Sequence, residues 1–181
     1  MKQHSDEQLM RRIQEGDQTA FNALVNQHIN PLYHFTKRML GNNTDAEDIV
    51  QETFLRAWKH ALSWQPNKAK LSTWLHRIAH NLCIDMSRKQ RMKLVELQED
   101  HAITERQVSD DIHQEEVSAQ VAEALHGLPE RQRSAIILCY YQGLSNQQAA
   151  EILDVSVSAL ESLLARGRRS LKTRLHAPDD I

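Results

Sequence analysis

A group of cations near the carboxyl end of the chain gives the clearest indication of a binding surface. Between Val157 and His176 they are Arg166, Arg168, Arg169, Lys172 and Arg174, and Glu161 is the one acid in that stretch. Guanidinium and ammonium groups bind phosphate oxygens, so an excess of them along one helix is typical of a surface that contacts nucleic acid. The stretch predicts DNA binding, although an ordinary amphipathic helix with a solvated basic end carries the same kinds of residue.

A helix-turn-helix would position these cations. The stretch from Ser145 has the pattern of a capping box, which begins a first helix. Ala150, Asp154 and Leu160 fall at the offsets of a helix-turn-helix: a small residue where the helices cross, a residue that tolerates left-handed backbone, and an apolar residue. Ser156 can cap the second helix. The pattern therefore predicts that the cations lie on the second helix of this motif.

Two other groups of residues could do chemistry. His76, His80 and Cys83 are spaced i, i+4 and i+7, which can present metal ligands, but a fourth ligand is not evident and two boundary histidines beside a packed thiol would give the same spacing. Asp48 and Glu52 form an i, i+4 carboxylate pair on an outward face without a pocket signal. Since nucleotide-binding and nucleophile motifs are also lacking, we predict no enzyme, metal or cofactor.

Composition predicts an all-α fold, and the acidic stretch described below divides it into two small helical domains. Of the 181 residues, 40% are hydrophobic and 25% charged, with 5% aromatics, and β-branched runs are few. A net charge of −2 means that any DNA binding must come from local patches or from a larger complex. The amino terminus lacks an apolar leader, so we expect a cytoplasmic protein without membrane contact, in which Cys83 and Cys139 are reduced and packed.

The first domain, predicted over residues 1–91, begins with two capped helices. A capping box at Ser5 opens a helix that ends near Gly16, and Asp17 can cap the next helix, which runs to Gly41. Pro31 should kink or split that second helix because it removes one backbone hydrogen bond.

A strongly amphipathic segment follows, with a capping box predicted at Thr44 and an apolar stripe from Ala46 to Ala61. Its opposite side mixes acids, bases and one leucine, which suits a protein interface. The residues of that outward side are Asp48, Gln51, Glu52, Leu55, Arg56 and Lys59.

The loop from Ser63 to Leu71 and the helix after it, predicted to be capped by Ser72, place aromatic rings beside cations. Proteins that bind single-stranded nucleic acid use such a combination, because unpaired bases stack on the rings. Trp74 also keeps the spacing of the helix core, so packing is the competing interpretation of its ring.

An acidic stretch, residues 92–114, is predicted to be a flexible linker. The second domain is predicted over residues 115–177. Its core helix is predicted to bury Ala135, Ile136, Leu138, Cys139 and either Tyr140 or Tyr141, and to stop at Gly143.

Three segments together resemble the sigma-70 family of bacterial transcription factors, and most closely its short extracytoplasmic-function group, which keeps only region 2 and region 4. They are TDAEDIVQETFLRAW (44–58), TWLHRIAHNLCIDMSRK (73–89) and LPERQRSAIILCYYQGLSNQQAAEILDVSVSALESLLARGRRSL (128–171). The resemblance implies a region 2 helical bundle and a region 4 helix-turn-helix. It implies a sigma factor that binds core RNA polymerase and directs it to promoters.

Roles for individual residues follow from this resemblance. The helix over 45–61 would dock on the polymerase β′ coiled coil through Asp48, Gln51, Glu52, Leu55 and Arg56. Contacts to the melted minus-10 element would come from Trp64, Lys68, Lys70, Trp74, Arg77, Asn81, Arg88 and Lys89. Contacts to the minus-35 element would come from Ser156, Ser158, Ala159, Glu161, Ser162, Arg166, Arg168 and Arg169, with the arginines chiefly on phosphates.

The resemblance also implies further partners, namely the β flap of the polymerase and an anti-sigma factor. The chain departs from the family pattern at Glu161, where a basic residue is common, so its minus-35 preference should differ from that of its relatives. Two alternatives stay open at this point. One is a helix-turn-helix regulator that binds operator DNA without polymerase, and the other is a helical adaptor that binds no DNA.

Overall fold

The computed structural model describes residues 5–98 and 114–176, and these residues form eight α-helices with no strand among them. A first module contains α1 (Asp6–Gln14), α2 (Gln18–Leu40), α3 (Asn43–Lys59), a 3₁₀ turn (Ala61–Ser63) and α4 (Leu71–Gln98). A second module contains α5 (Gln114–His126), α6 (Glu130–Ile136), which continues as a π-helix (Ile137–Tyr141), α7 (Asn146–Leu153) and α8 (Val157–Leu175). The predicted all-α class is confirmed.

Side-chain caps begin most of these helices, as local sequence predicts. Ser5 forms a complete capping box with Gln8, and the Asp17 carboxylate accepts hydrogen bonds from the amides at the start of α2. The capping box predicted at Thr44 is wrong. Asn42 is the cap, and its side chain accepts from the Asp45 amide at 2.8 Å, so that α3 starts one residue before Thr44.

Pro31 does not split α2. The helix runs without a break from Gln18 to Leu40 with Pro31 in its interior. Leu32 and Phe35, on the carboxyl side of the proline, are 1% and 0% exposed, and Leu24 on the other side is 1% exposed. Burial of both halves in one core outweighs the loss of a single backbone hydrogen bond at an exposed position.

The fourth helix differs from the prediction at both ends. It begins at Leu71, so Ser72 is inside the first turn and is not the cap. It continues to Gln98, so residues 92–98, predicted as linker, are helical. Met92, Lys93 and Leu94 are good helix formers, and the helix continues through them although their side chains are exposed. The rest of the predicted linker, residues 99–113, lies outside the described residues.

Each module packs apolar stripes around its own helices. In the first, the Phe21 ring meets Phe54 and Trp58 edge to face, with centroids 6.4 and 5.0 Å apart, and ties α2 to α3. In the second, Gly167 of α8 lies against Ile136 of α6, where an added Cβ would come within 3.0 Å of Ile136 Cγ1. A larger residue there would push α8 off α6, so the glycine sets how closely the two helices approach.

The predicted core of the second module is right for Ala135 to Leu138 and wrong for the tyrosines that follow. Tyr140 and Tyr141 are 56% and 41% exposed. The cause is the π-helix, because its wider turn rotates the last residues away from the face that an α-helical period gives them.

The two modules also pack on each other, through α4 against α7 and α2 against the π-helix. Buried apolar residues of both belong to one continuous cluster in the described part of the chain. Cys83 of α4 is fully buried in that cluster, and burial raises the pKa of its thiol to about 12. Both cysteines are free thiols, Cys83 packed and Cys139 partly exposed.

Candidate DNA and protein interfaces

The helix-turn-helix predicted from residues 145–175 is confirmed by its backbone geometry. Asp154 ends α7 in the left-handed conformation, with φ 54° and ψ 51°. The Val155 amide donates to the Ala150 carbonyl at 3.0 Å, which closes the corner, and Ser156 caps α8 by accepting from the Ala159 amide at 3.1 Å. Leu160 is fully buried beneath the corner. The turn and its caps therefore hold α8 in a defined orientation.

The outer face of α8 is exposed at every position predicted to meet the minus-35 element. These are Ser156, Ser158, Ala159, Glu161, Ser162, Arg166, Arg168 and Arg169. The small side chains lie toward the amino-terminal end and the arginines farther along. That order would let the first turns approach base edges while the guanidinium groups reach phosphates.

Tyr140 supports this face from the π-helix. Arg168 Nη1 donates a hydrogen bond to the Tyr140 hydroxyl at 2.6 Å. This hydrogen bond uses one of the five guanidinium N–H groups, and the remaining ones can still donate to an anion.

The outward face of α3 has a different character. Asp48, Gln51, Leu55 and Arg56 are exposed, and Glu52 is partly exposed. Arg56 Nε donates to Glu52 Oε1 at 2.8 Å, and this hydrogen bond lowers the pKa of Glu52. Leu55 is 53% exposed beside this ion pair. An apolar side chain framed by paired charges suits a protein partner better than a nucleic acid.

The residues predicted for the minus-10 element divide into exposed and buried ones. Lys68, Lys70, Arg77, Asn81, Arg88 and Lys89 are at least partly exposed, and Trp74 is half-buried. Trp64 is only 6% exposed and belongs to the apolar cluster. Its ring is therefore not open for stacking on a base in this arrangement, whereas the Trp74 ring still has an accessible part.

A cavity of about 610 Å³ lies between the modules. From the first module, Lys68, Trp74 and Arg77 line it, and from the second module the turn and the start of α8 do so. Predicted minus-10 and minus-35 residues thus face the same space.

His76 and His80 point from α4 to the second module. His76 Nε2 lies 3.2 Å from Gln142 Oε1, and His80 Nε2 lies 3.0 Å from Ser134 Oγ. Burial lowers the pKa of both rings, that of His80 to about 4. No cluster of three or more potential metal ligands occurs in residues 5–98 and 114–176. The spacing that suggested a metal site instead places two rings in the contact between the modules.

Comparison with known proteins agrees with the division of the chain into two modules. The family description "Sigma-70 region 2" matches residues 24–92, and "Sigma-70, region 4" matches residues 118–171. The chain belongs to the sigma-70 family. Each match falls within one module, so the sigma factor carries its two regions in the order predicted from the three sequence segments.

Curated relatives place this sigma factor in the extracytoplasmic-function group. The group member SigW of Bacillus subtilis is 35% identical over 178 residues, which cover 92% of this chain and 94% of the relative. SigE of Mycolicibacterium smegmatis is 35% identical over 170 residues, or 88% of this chain. The alignment spans 64% of the length of SigE, so that relative is considerably longer.

Two solved structures share the fold. CnrH, solved in complex with the cytosolic domain of CnrY, superposes with a TM-score of 0.72 at 30% identity, covering 94% of this chain and 97% of CnrH. The sigma factor RpoE from Bartonella quintana, solved in complex with the anti-sigma factor NepR, superposes with a TM-score of 0.69 at 26% identity. That match covers 87% of this chain and 97% of RpoE.

Sequence reasoning missed two sets of residues in this sigma factor. The first is Tyr140, which helical periodicity puts in the core. The structure instead shows it hydrogen-bonded to Arg168, a residue 28 positions away. Gln142 and Ser134, the partners of the two histidines, carry no signal either, because these hydrogen bonds span 66 and 54 positions. Local periodicity contains no information on such pairs.

Proposed function

We propose that this chain binds core RNA polymerase and directs it to promoters through minus-10 and minus-35 elements, with no catalytic activity of its own. The observation that carries the proposal is the pairing of two family regions in one chain, with a capped recognition helix exposed on the second. The chain would act in the cytoplasm, where its proposed partners are.

The proposed polymerase contact is the outward face of α3, docked on the β′ coiled coil. Leu55 would provide the apolar centre of this contact, since a half-exposed leucine gains most from burial against a partner. Asp48, Gln51 and Arg56 would form its polar rim. The second module would contact the β flap.

The proposed minus-10 contact uses the loop before α4 and the exposed side of that helix. Lys68, Lys70 and Arg77 would neutralise phosphates of the melted nontemplate strand, and Trp74 would offer the accessible part of its ring to a base. Asn81 lies one turn farther along α4 and has amide groups that can pair with a base taken out of the stack. Extruding a base costs a few kcal/mol, which an A·T-rich element reduces.

The proposed minus-35 contact places α8 in the major groove. Ser158, Glu161 and Ser162 would face base edges, and the arginines would hold the phosphates on either side. Glu161 can accept from cytosine N4 but repels phosphate, so it is the residue expected to make the base preference of this chain distinctive.

An anti-sigma factor is the proposed regulator. The solved relative RpoE was crystallised with its anti-sigma factor NepR, and CnrH with the cytosolic domain of CnrY. By analogy, a partner of this kind would cover the proposed polymerase and DNA contacts of the present chain.

The test is run-off transcription with purified chain and core polymerase, followed by sequencing of the transcripts. We expect initiation at defined start points that requires both components. A gel shift with and without polymerase separates the alternatives: an operator-binding regulator would shift duplex promoter DNA alone. Failure to associate with core polymerase, or association without directed initiation, would contradict the proposal.

A further inference from the structure

One exposed hydrogen bond joins the π-helix to the proposed recognition helix. Arg168 of α8 donates to the Tyr140 hydroxyl at 2.6 Å, and Tyr140 is 56% exposed. The Arg168 side chain is exposed as well. Ordering a long arginine side chain at a surface costs conformational entropy. The bond therefore holds a flexible cation in one position although water competes for it.

The backbone that carries Tyr140 is anchored on both sides. Ile137 and Leu138, which precede it in the π-helix, are fully buried. After it, the Gln142 amide donates to the Ile137 carbonyl at 3.0 Å, and the Leu144 amide donates to the Leu138 carbonyl at 3.1 Å. The wider turn rotates the phenol out of the core, and such turns occur frequently at functional sites.

Packing between α6 and α8 is provided by other residues. The helices meet where Gly167 lies against Ile136, and Gly167 is buried there while its neighbour Arg168 is exposed. A hydrogen bond that is open to water contributes little to stability, because water can replace either partner. The bond between Tyr140 and Arg168 is therefore better explained as part of a binding surface.

Together the two side chains form a group of hydrogen-bond donors. A guanidinium has no acceptor, so the phenol oxygen accepts from Arg168 and its own O–H remains to donate. A phenol that accepts from a cation becomes a stronger donor, because hydrogen bonds in a chain polarise one another. Arg168 keeps further N–H groups beside that hydroxyl. An anion with several acceptor oxygens, such as a backbone phosphate, matches this set of donors.

The pair lies beside the proposed base contacts. Arg168 comes about two turns after Glu161, so the two side chains lie on one side of α8. At 1.5 Å per residue they are about 10 Å apart along the helix. The major groove is about 12 Å wide, so a helix with Glu161 at a base edge brings Arg168 to the phosphates that border the groove. Tyr140 reaches the same phosphates, since its hydroxyl contacts Arg168.

We propose that Tyr140 is a DNA contact outside α8, and that its hydroxyl and Arg168 together bind one backbone phosphate of the minus-35 duplex. This inference rests on the proposed function and adds a residue of the π-helix to it. Before DNA arrives, the phenol already holds the guanidinium in place, so less side-chain entropy is lost on binding. The competing explanation is a surface hydrogen bond that binds no ligand.

The test compares Tyr140→Phe, which removes only the hydroxyl, with Arg168→Gln, each as the full chain with core polymerase. The probe is a promoter duplex chosen by run-off transcription. A series of these duplexes carries one neutral methylphosphonate each, placed in turn at every minus-35 phosphate. The matched control is Tyr141→Phe, because Tyr141 is also an exposed phenol of the π-helix and its contact with Arg38, at 4.4 Å, is made by the ring.

We expect Tyr140→Phe to weaken binding of the unmodified duplex about tenfold, the effect of a hydrogen bond to a charged group. The dependence of log K on log salt should stay unchanged, because a neutral phenol releases no counterion, whereas Arg168→Gln should make it shallower by about 0.9. One methylphosphonate should weaken binding of the original chain and have a smaller effect on both variants, at the same position. Tyr141→Phe should bind like the original chain, and affinity for core polymerase should not change in any variant.

Three results would overturn the inference: full affinity in Tyr140→Phe, an equal loss in Tyr141→Phe, or affected phosphates that differ between Tyr140→Phe and Arg168→Gln. A loss of affinity in Tyr140→Phe without a change at any single phosphate would also overturn it, because the phenol would then only support α8. Failure of the proposed function gives a different result. The original chain with polymerase would then yield no promoter in the run-off test, and the inference would be rejected with it.

Discussion

Helices α3 and α8 are built alike on the inside and differently on the outside. Each buries an apolar stripe, centred on Ile49 and Phe54 in α3 and on Leu160 and Leu164 in α8. Outside, α3 presents a leucine among charges that are paired on the same helix, whereas α8 presents three arginines behind a row of small side chains. The buried stripe determines where a helix lies, and the exposed face determines what it can bind.

The largest expected effect comes from removing the charge of α8. Replacing Arg166, Arg168 and Arg169 by Gln should weaken binding of the polymerase complex to a minus-35 promoter roughly a thousandfold, taking about 1.5 kcal/mol for each charge-assisted hydrogen bond. The dependence of log K on log salt should become shallower by about 0.9 for each phosphate that is no longer neutralised. Equilibrium binding over a salt series measures both quantities.

The matched control for that variant is Arg11→Gln with Lys37→Gln and Lys93→Gln, three exposed cations of the first module. Affinity for core polymerase should be unchanged in either protein. Equal weakening of DNA binding in the control would mean that net charge, not the face of α8, provides the attraction.

A second prediction concerns the buried histidine between the modules. His80 has its pKa lowered from 6.5 to about 4, so above pH 6.5 it does not affect stability. Below that, the unfolded chain takes up a proton that the folded chain excludes. The free energy of unfolding should therefore fall by about 3 kcal/mol between pH 6.5 and 4, at 1.36 kcal/mol per unit, and then level off for this group.

Urea unfolding across this pH range measures the effect. His80→Gln, which can still donate to Ser134, should remove the part of the pH dependence that His80 contributes, and His60→Gln at an exposed position should not. The pKa of His76 is lowered in the same direction, so a smaller decrease in stability should remain in the His80 variant. Identical pH profiles for the two variants would show that His80 is not the group responsible.

The third prediction tests the face of α3. Leu55→Asp should weaken binding of core polymerase by at least about thirtyfold, the effect of a 2 kcal/mol interface anchor, while leaving the thermal unfolding midpoint nearly unchanged. Leu62→Asp is the control, because Leu62 is 79% exposed and lies outside this face. If Leu62→Asp weakened binding as much as Leu55→Asp, the contact would not be centred on α3.

The smallest expected effect is a change of preference at one base position. Glu161→Lys should relax or shift the minus-35 preference by about 1–3 kcal/mol at the affected pair, because a group that accepts from cytosine N4 becomes a donor. Transcription from a promoter library randomised at minus-35 measures this change. If the variant selects the same promoters as the original chain, Glu161 does not take part in base recognition.

Prediction from sequence succeeded where the information is local. The caps at Ser5, Asp17, Ser145 and Ser156 and the left-handed Asp154 depend on residues within one turn. It failed at Tyr140, where a π-helix overrides local periodicity, and the break in α2 that Pro31 could have caused is absent because both halves of the helix are packed. Trp64 lies beside cations in sequence, which predicts that it stacks on a base, but its ring is buried in the core.

By itself the sequence determined the helices, the corner of the helix-turn-helix and the charge on the face of α8, because each follows from residue types at fixed local spacing. Only the tertiary structure decided that His76 and His80 join the modules, that Trp64 is buried and that the two proposed DNA contacts share one cavity. The hydrogen bonds of the two histidines join residues 66 and 54 positions apart, and proximity over such separations is a property of packing that no local pattern encodes.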